Sequence, residues 1–88
     1  MKCVRVVVSG RVQGVGFRYA TMQRARSRGI AGYVRNREDG SVEAVFEGES
    51  DAVDSLVAWC SRGPAGARVD DVTVELETPT GATSFRSG

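Results

Sequence analysis

Apolar residues alternate with polar ones at the start of the chain. In VRVVVS (4–9), Val4, Val6 and Val8 share one face, and Arg5 and Ser9 fall on the other. β-branched residues at period two predict a strand. From Arg18 to Arg28 (RYATMQRARSR) the period lengthens. Helix formers run without Pro or Gly until Gly29, and Phe17, Thr21, Met22 and Ala25 supply a thin apolar face. This predicts a helix that stops at the Gly, with Arg24, Arg26 and Arg28 where a helix C-terminus favours cations. Residues 30–36 (IAGYVRN) and 42–47 (VEAVFE) flank an Asp39-Gly40 turn and read as a hairpin, with Val42, Ala44 and Phe46 inward. Ser50 is a candidate N-cap, and Val53, Leu56, Val57 and Cys60 make an i, i+3, i+4, i+7 stripe for a second helix that ends at Gly63-Pro64. Residues 69–77 (VDDVTVELE) place Val72, Val74 and Leu76 on one face of a fourth strand, and the tail has room for a short edge strand around Phe85.

The order β-α-β-β-α-β predicts an α+β fold: a ferredoxin-like sandwich with a four- to five-stranded antiparallel sheet and two helices on one face. A right-handed crossover makes the first two strands parallel, so both end at one edge of the sheet. The loop GRVQGVGFR (10–18) leaves the first strand there, and Asn36 ends the second. If Val34 faces the helices, Asn36 does too, and it then lies near Arg18 and the start of the first helix.

The chain has 88 residues, enough for one domain spanning 1–88 with a modest core. Twelve Lys and Arg face eleven Asp and Glu, a net charge of +1, so any preference for anions has to be local rather than a bulk attraction to nucleic acid or membrane. No His is present, and Cys3 and Cys60 lack metal-ligand spacing. That argues against a zinc site, an imidazole base and a disulfide framework. No apolar run has the length of a membrane span, and the start does not read as a secretory signal. A soluble, reduced, cytoplasmic and monomeric protein is expected.

Within the loop, Gly14 and Gly16 allow successive N–H groups to converge on an anion, the helix start adds unpaired N–H groups, and Arg18 adds a fixed charge with a bidentate fork. No Lys-Ser/Thr follows, so this is not a Walker loop, and Tyr19 stands where a dinucleotide fingerprint has its third Gly. Taken alone, Gly-x-Gly before a helix fits a tight turn with a surface Arg equally well.

The loop together with GYVRNREDGSVEAVFEG and GPAGARVDDVTVE closely resembles the acylphosphatase family, from about Val4 to Phe85. The resemblance implies hydrolysis of the carboxyl–phosphate bond of small acyl phosphates, with inorganic phosphate as product and neither metal nor cofactor. By position, it implies Arg18 as the substrate-binding arginine and Asn36 as the water-orienting residue. The phosphate-cradling backbone falls on Gln13, Gly14, Val15, Gly16 and Phe17. Arg28, Tyr33 and Gly16 depart from common choices in the family without touching its chemical groups. In tyrosine phosphatases a Cys stands six positions ahead of the loop Arg; here that position is Val12, so a covalent phosphoenzyme is not expected. Two other readings stay open: an acylphosphatase-like module acting on carbamoyl phosphate in a larger maturation protein, and a non-catalytic ferredoxin-like binding domain. For the latter, GVGFRY is similar to an RNA-binding aromatic motif, but the first strand lacks the stacking aromatics that RNA recognition needs.

Several residues are expected to be purely structural. Glu43, Glu47, Glu75 and Glu77 read as the solvent face of strands, Arg35 and Arg37 as surface residues, Trp59 and Tyr33 as packing residues, and Cys3 and Cys60 as free thiols.

Overall fold

The computed structural model describes all residues, 1–88. In chain order the elements are β1 (Lys2–Arg11), α1 (Phe17–Ser27), β2 (Ala31–Asn36), β3 (Val42–Gly48), α2 (Ser50–Cys60), β4 (Arg68–Leu76) and β5 (Phe85–Ser87). The sheet order is β4-β1-β3-β2-β5. β3 runs antiparallel to both β1 and β2, so β1 and β2 are parallel to each other and end at the same edge, as the crossover argument required. The α+β ferredoxin-like plan therefore stands, with one addition. β5 pairs in parallel with β2, Gly32 opposite Phe85 and Val34 opposite Ser87, which makes the sheet mixed. To reach that edge from β4, the chain crosses the sheet on the face away from the helices.

The valines of β1 explain why the sheet folds this way up. Val4, Val6 and Val8 are buried, as are Val42, Ala44 and Phe46 of β3 and Val34 of β2. They join Phe17 and Ala25 of α1 and Val53, Leu56, Trp59 and Cys60 of α2 in one cluster. Such burial of apolar surface is the main stabilising term, of order 25 cal/mol per Å². The thin face of α1 is sufficient because Thr21, whose hydroxyl donates to the Phe17 carbonyl, is buried as well. At the other end of α1, Ile30 N donates to Ala25 O and Gly29 N to Arg26 O, the pattern of a glycine-ended helix. The helices meet where the Phe17 and Trp59 rings lie 5.4 Å apart, with the Arg24 guanidinium 4.6 Å from the Trp59 centroid.

Two expectations need correction, at Ser50 and at Glu43 and Glu47, and β4 adds a finding of its own. Ser50 is already inside α2; the N-cap is Glu49, which makes no side-chain cap and whose carbonyl accepts from Val53 N. Val74 and Leu76 face the helix side but are 48% and 78% exposed, because β4 is an edge strand that the helices do not reach. Glu43 and Glu47 are not solvent-facing: they are 3% and 2% exposed. The outer face of the sheet carries its own cover, Arg5 and Arg35 over Glu43 and the β4–β5 crossing over Glu47. Glu75 and Glu77 are exposed as expected. No helix is long and apolar enough to cross a membrane.

Candidate active site

β1 ends in the loop 12–16, and Val12 is buried in the core, which anchors the loop from below. Gly14 and Gly16 take φ of 75° and 79°, left-handed values that other residues adopt only at a cost of about 1–2 kcal/mol. A Cβ at either glycine would meet nothing within 4 Å, so it is the backbone conformation and not crowding that calls for glycine here. Gly16 is also the N-cap of α1. It has no side chain to cap the helix, and the first turn holds no acidic residue. The first helical bond runs from Ala20 N to Gly16 O. The N–H groups of Phe17, Arg18 and Tyr19 are therefore the unpaired donors of a helix start, at its positive end.

Above them lies an open cleft of about 370 Å³ whose lining includes Gly14, Gly16, Phe17, Arg18 and Asn36. Arg18 comes from the first turn of α1 and Asn36 from the end of β2, eighteen positions apart in sequence. The cleft's wall thus combines unpaired amides, one permanent cation and one carboxamide that can both donate and accept. Such a surface suits a tetrahedral oxyanion with a water beside it.

The other two sequence candidates are placed differently. The Val15 side chain packs against the core. The Gln13 side chain turns away and donates from Nε2 to the carbonyls of Arg37, at 2.8 Å, and Ser41, at 3.0 Å. It ties the loop to the β2–β3 turn, next to Asn36. Asp39 shapes that turn: its Oδ1 accepts from Ser41 N and Oγ, and the Ser41 hydroxyl bond is the main reason its carboxyl sits below the usual range.

Four lining residues were not singled out from sequence: Tyr19, Met22, Ser87 and Gly88. Met22 follows Arg18 at +4, so helical spacing places it on the same face; Tyr19 is the next residue of the same first turn of α1. Ser87 and Gly88 reach the cleft through the pairing of β5 with β2, which no local pattern encodes. The Gly88 carbonyl accepts a hydrogen bond from Arg18 Nη1. No group of three or more Cys, Asp or Glu side chains has the geometry to hold a metal ion.

The family model for acylphosphatase matches residues 4–87. An acylphosphatase of Trichormus variabilis is 56% identical over 82 residues, covering 93% of this chain and 81% of the relative. One of Rubrobacter xylanophilus is 61% identical over 80 residues, covering 91% and 73%. The crystal structure of acylphosphatase from Bacillus subtilis superposes with a TM-score of 0.96 at 39% identity, covering 100% of this chain and 99% of that one. The chain belongs to the acylphosphatase family.

Proposed function

We propose that the protein hydrolyses small acyl phosphates to a carboxylate and inorganic phosphate, and that Arg18 and Asn36 carry the reaction. The observation behind this reading is that Arg18, Asn36 and the glycine loop line one cleft although they come from separate elements. The loop amides and Arg18 bind the phosphoryl oxygens. The Asn36 carboxamide holds a water in line with the phosphorus–oxygen bond to the acyl group. Water oxygen bonds to phosphorus as the phosphorus–carboxylate bond breaks, and the carboxylate leaves with the bonding pair without needing a proton. The water's proton passes to a phosphoryl oxygen of the substrate, since no side chain in the cleft is a base. Catalysis is then positioning and electrostatic stabilisation of the phosphoryl oxygens. Nothing in this scheme calls for a metal or cofactor, and it is complete within one domain and one copy of the chain.

Phosphate release from acetyl phosphate and benzoyl phosphate tests the reading. Losing a preorganised donor typically costs about 10²–10³ in rate. Arg18→Gln and Asn36→Ala are each expected to lose about that much while remaining folded. Only Arg18→Gln is expected to weaken inhibition by inorganic phosphate. A folded Asn36→Ala protein with near-normal turnover refutes the role of Asn36. An inactive wild-type chain that binds RNA points to the binding-domain reading instead.

A further inference from the structure

The segment from Glu77 to Gly88 is fastened at intervals, and Gly88 meets Arg18. Glu77 N donates to Cys3 O at the β4 side of the sheet. The strap then passes over the buried Glu47 carboxylate. Glu47 Oε1 accepts from Thr80 N at 3.0 Å and Thr80 Oγ1 at 3.1 Å, and Oε2 accepts from Gly81 N at 2.8 Å. Gly32 N donates to Ser84 O and brings the chain to the edge of β2, where Phe85 is buried against Phe46 with ring centroids 6.0 Å apart. Arg26 closes its fork on the Phe85 carbonyl, from Nε at 3.3 Å and Nη2 at 3.0 Å. Gly88 N donates to Val34 O, and Gly88 O accepts from Arg18.

The dimensions agree. Arg18 and Arg26 lie about 12 Å apart along a helix axis at 1.5 Å per residue. Phe85 and Gly88 lie about 10 Å apart along an extended chain. Two arginines of one helix thus hold carbonyls at the two ends of β5. One faces the cleft; the other is at the far end of the helix.

We propose that Arg26 and Glu47 are positioning residues for the reaction: by fixing the segment from Thr80 to Gly88 they set the Gly88 carbonyl, which orients the Arg18 guanidinium over the phosphate loop. This rests on the reading of Arg18 as the phosphate-binding cation. A guanidinium has five N–H donors, so one bond to Gly88 leaves a fork free for a phosphoryl group. An arginine already held in place loses less rotamer freedom when the anion arrives, and pre-ordering one such side chain corresponds to about a 2- to 10-fold gain in affinity. Neither Arg26 nor Glu47 lines the cleft, so their effect reaches it only through the strap.

The test compares wild type, Arg26→Ala, Arg26→Lys and Glu47→Gln in acyl phosphate hydrolysis, in inhibition by inorganic phosphate, and by NMR order of the Arg18 Nε–H group in the free protein. The expected result is that Arg26→Ala raises both KM and the phosphate inhibition constant by about 2- to 10-fold. The kcat value changes little, because Asn36 is untouched, and the Arg18 Nε–H becomes more mobile. Arg26→Lys recovers part of the loss, having one donor in place of a fork. Should Arg26→Ala fail to fold, Glu47→Gln supplies the same readout through the other fastening. A variant with lowered melting temperature but unchanged KM, inhibition constant and Arg18 mobility overturns the proposal and leaves these residues as fold supports only. Arg18→Gln run alongside separates the two levels. If it is inactive while the Arg26 and Glu47 variants are unchanged, only this inference fails; if it is fully active, the reading of the site fails with it.

Discussion

The Gln13 carboxamide donates to the Arg37 carbonyl at 2.8 Å, joining the glycine loop after β1 to the residue that follows Asn36. The bond therefore sets the spacing between the two halves of the site. Its second branch, to Ser41 O, fixes the same amide against the far side of the β2–β3 turn. Two backbone carbonyls held by one side chain leave the loop little freedom to slide relative to the end of β2.

Gln13→Ala should accordingly act on the reaction more than on the fold. Two net hydrogen bonds at a part-buried site are worth about 1–2 kcal/mol of stability. Small displacements of positioned groups cost up to about 10²-fold in rate. The expected outcome is a folded protein whose kcat falls by roughly 10-fold or more, with a smaller rise in KM, because the variant keeps the loop amides and Arg18 proposed to bind phosphate. Steady-state kinetics with benzoyl phosphate, beside a urea melt, checks it. A change in KM alone contradicts the spacing role.

Gly32 presents a different constraint. Its φ is 131°, and a Cβ there would lie 1.9 Å from the Val45 carbonyl oxygen, a backbone atom that cannot swing away. Gly32→Ala must push β2 off β3 or distort both. Destabilisation of roughly 2–4 kcal/mol is expected in urea unfolding. Because Gly32 N also holds Ser84 O, weaker phosphate binding should accompany it. A substitution costing under about 0.5 kcal/mol, the range of an ordinary surface change, would show that the strand tolerates the side chain.

What the sequence made legible follows from the range of the interactions involved. Period-two alternation in β1 and β3 and the glycine stop of α1 are local, so the element order, the crossover and the placing of Arg18 and Asn36 at one edge could be argued from residues alone. Glu43 and Glu47 misled that reasoning, since a charged residue opposite a core position ordinarily means solvent. Their burial depends on partners 8 to 38 positions away: Arg35 and Arg5 for Glu43, and Thr80 and Gly81 for Glu47. The bond from Arg18 to Gly88 spans 70 positions and leaves no local trace. The loop 12–16 was legible because its conformation is written in its glycines; the strap that reaches Arg18 was not, because its place depends on register across the sheet.

The Glu43 ion pairs give a pH dependence with a definite sign. Burial pushes the Glu43 carboxyl up, but Arg35 Nε at 2.5 Å and Arg5 Nη1 at 3.4 Å outweigh it, and the net position is below the ordinary range. A carboxyl lowered in the folded state favours folding above its unfolded pKa, and the benefit is lost as pH falls through the folded value. Stability should therefore be flat near neutrality and decline below about pH 4.3, the ordinary glutamate value. Glu43→Gln should lower stability at pH 7 by about 1 kcal/mol, a modest figure because both guanidiniums are partly in water. It should also flatten the acid limb. Urea midpoints taken from pH 3 to pH 7 decide this, and an acid limb as steep in the variant as in wild type rejects the assignment.

The two thiols report on different parts of the molecule. Burial in the core pushes Cys60 up to about 12, and it is 1% exposed. Cys3 is 2% exposed on the outer face and is pushed up first by burial and then by the neighbouring Glu47 charge. Only thiolate reacts with disulfide reagents, so neither cysteine should be modified in the native protein at pH 8, while both react on unfolding. Glu47→Gln separates them. Loosening the strap uncovers Cys3 but leaves the core around Cys60 closed, so Cys3 should react at least about 10-fold faster than in wild type, as for a local opening well below the global unfolding free energy, while Cys60 keeps its wild-type rate. Mass spectrometry of the labelled protein identifies which thiol has reacted. Equal acceleration at both positions would mean that Glu47 supports the whole fold and that the strap does not open by itself.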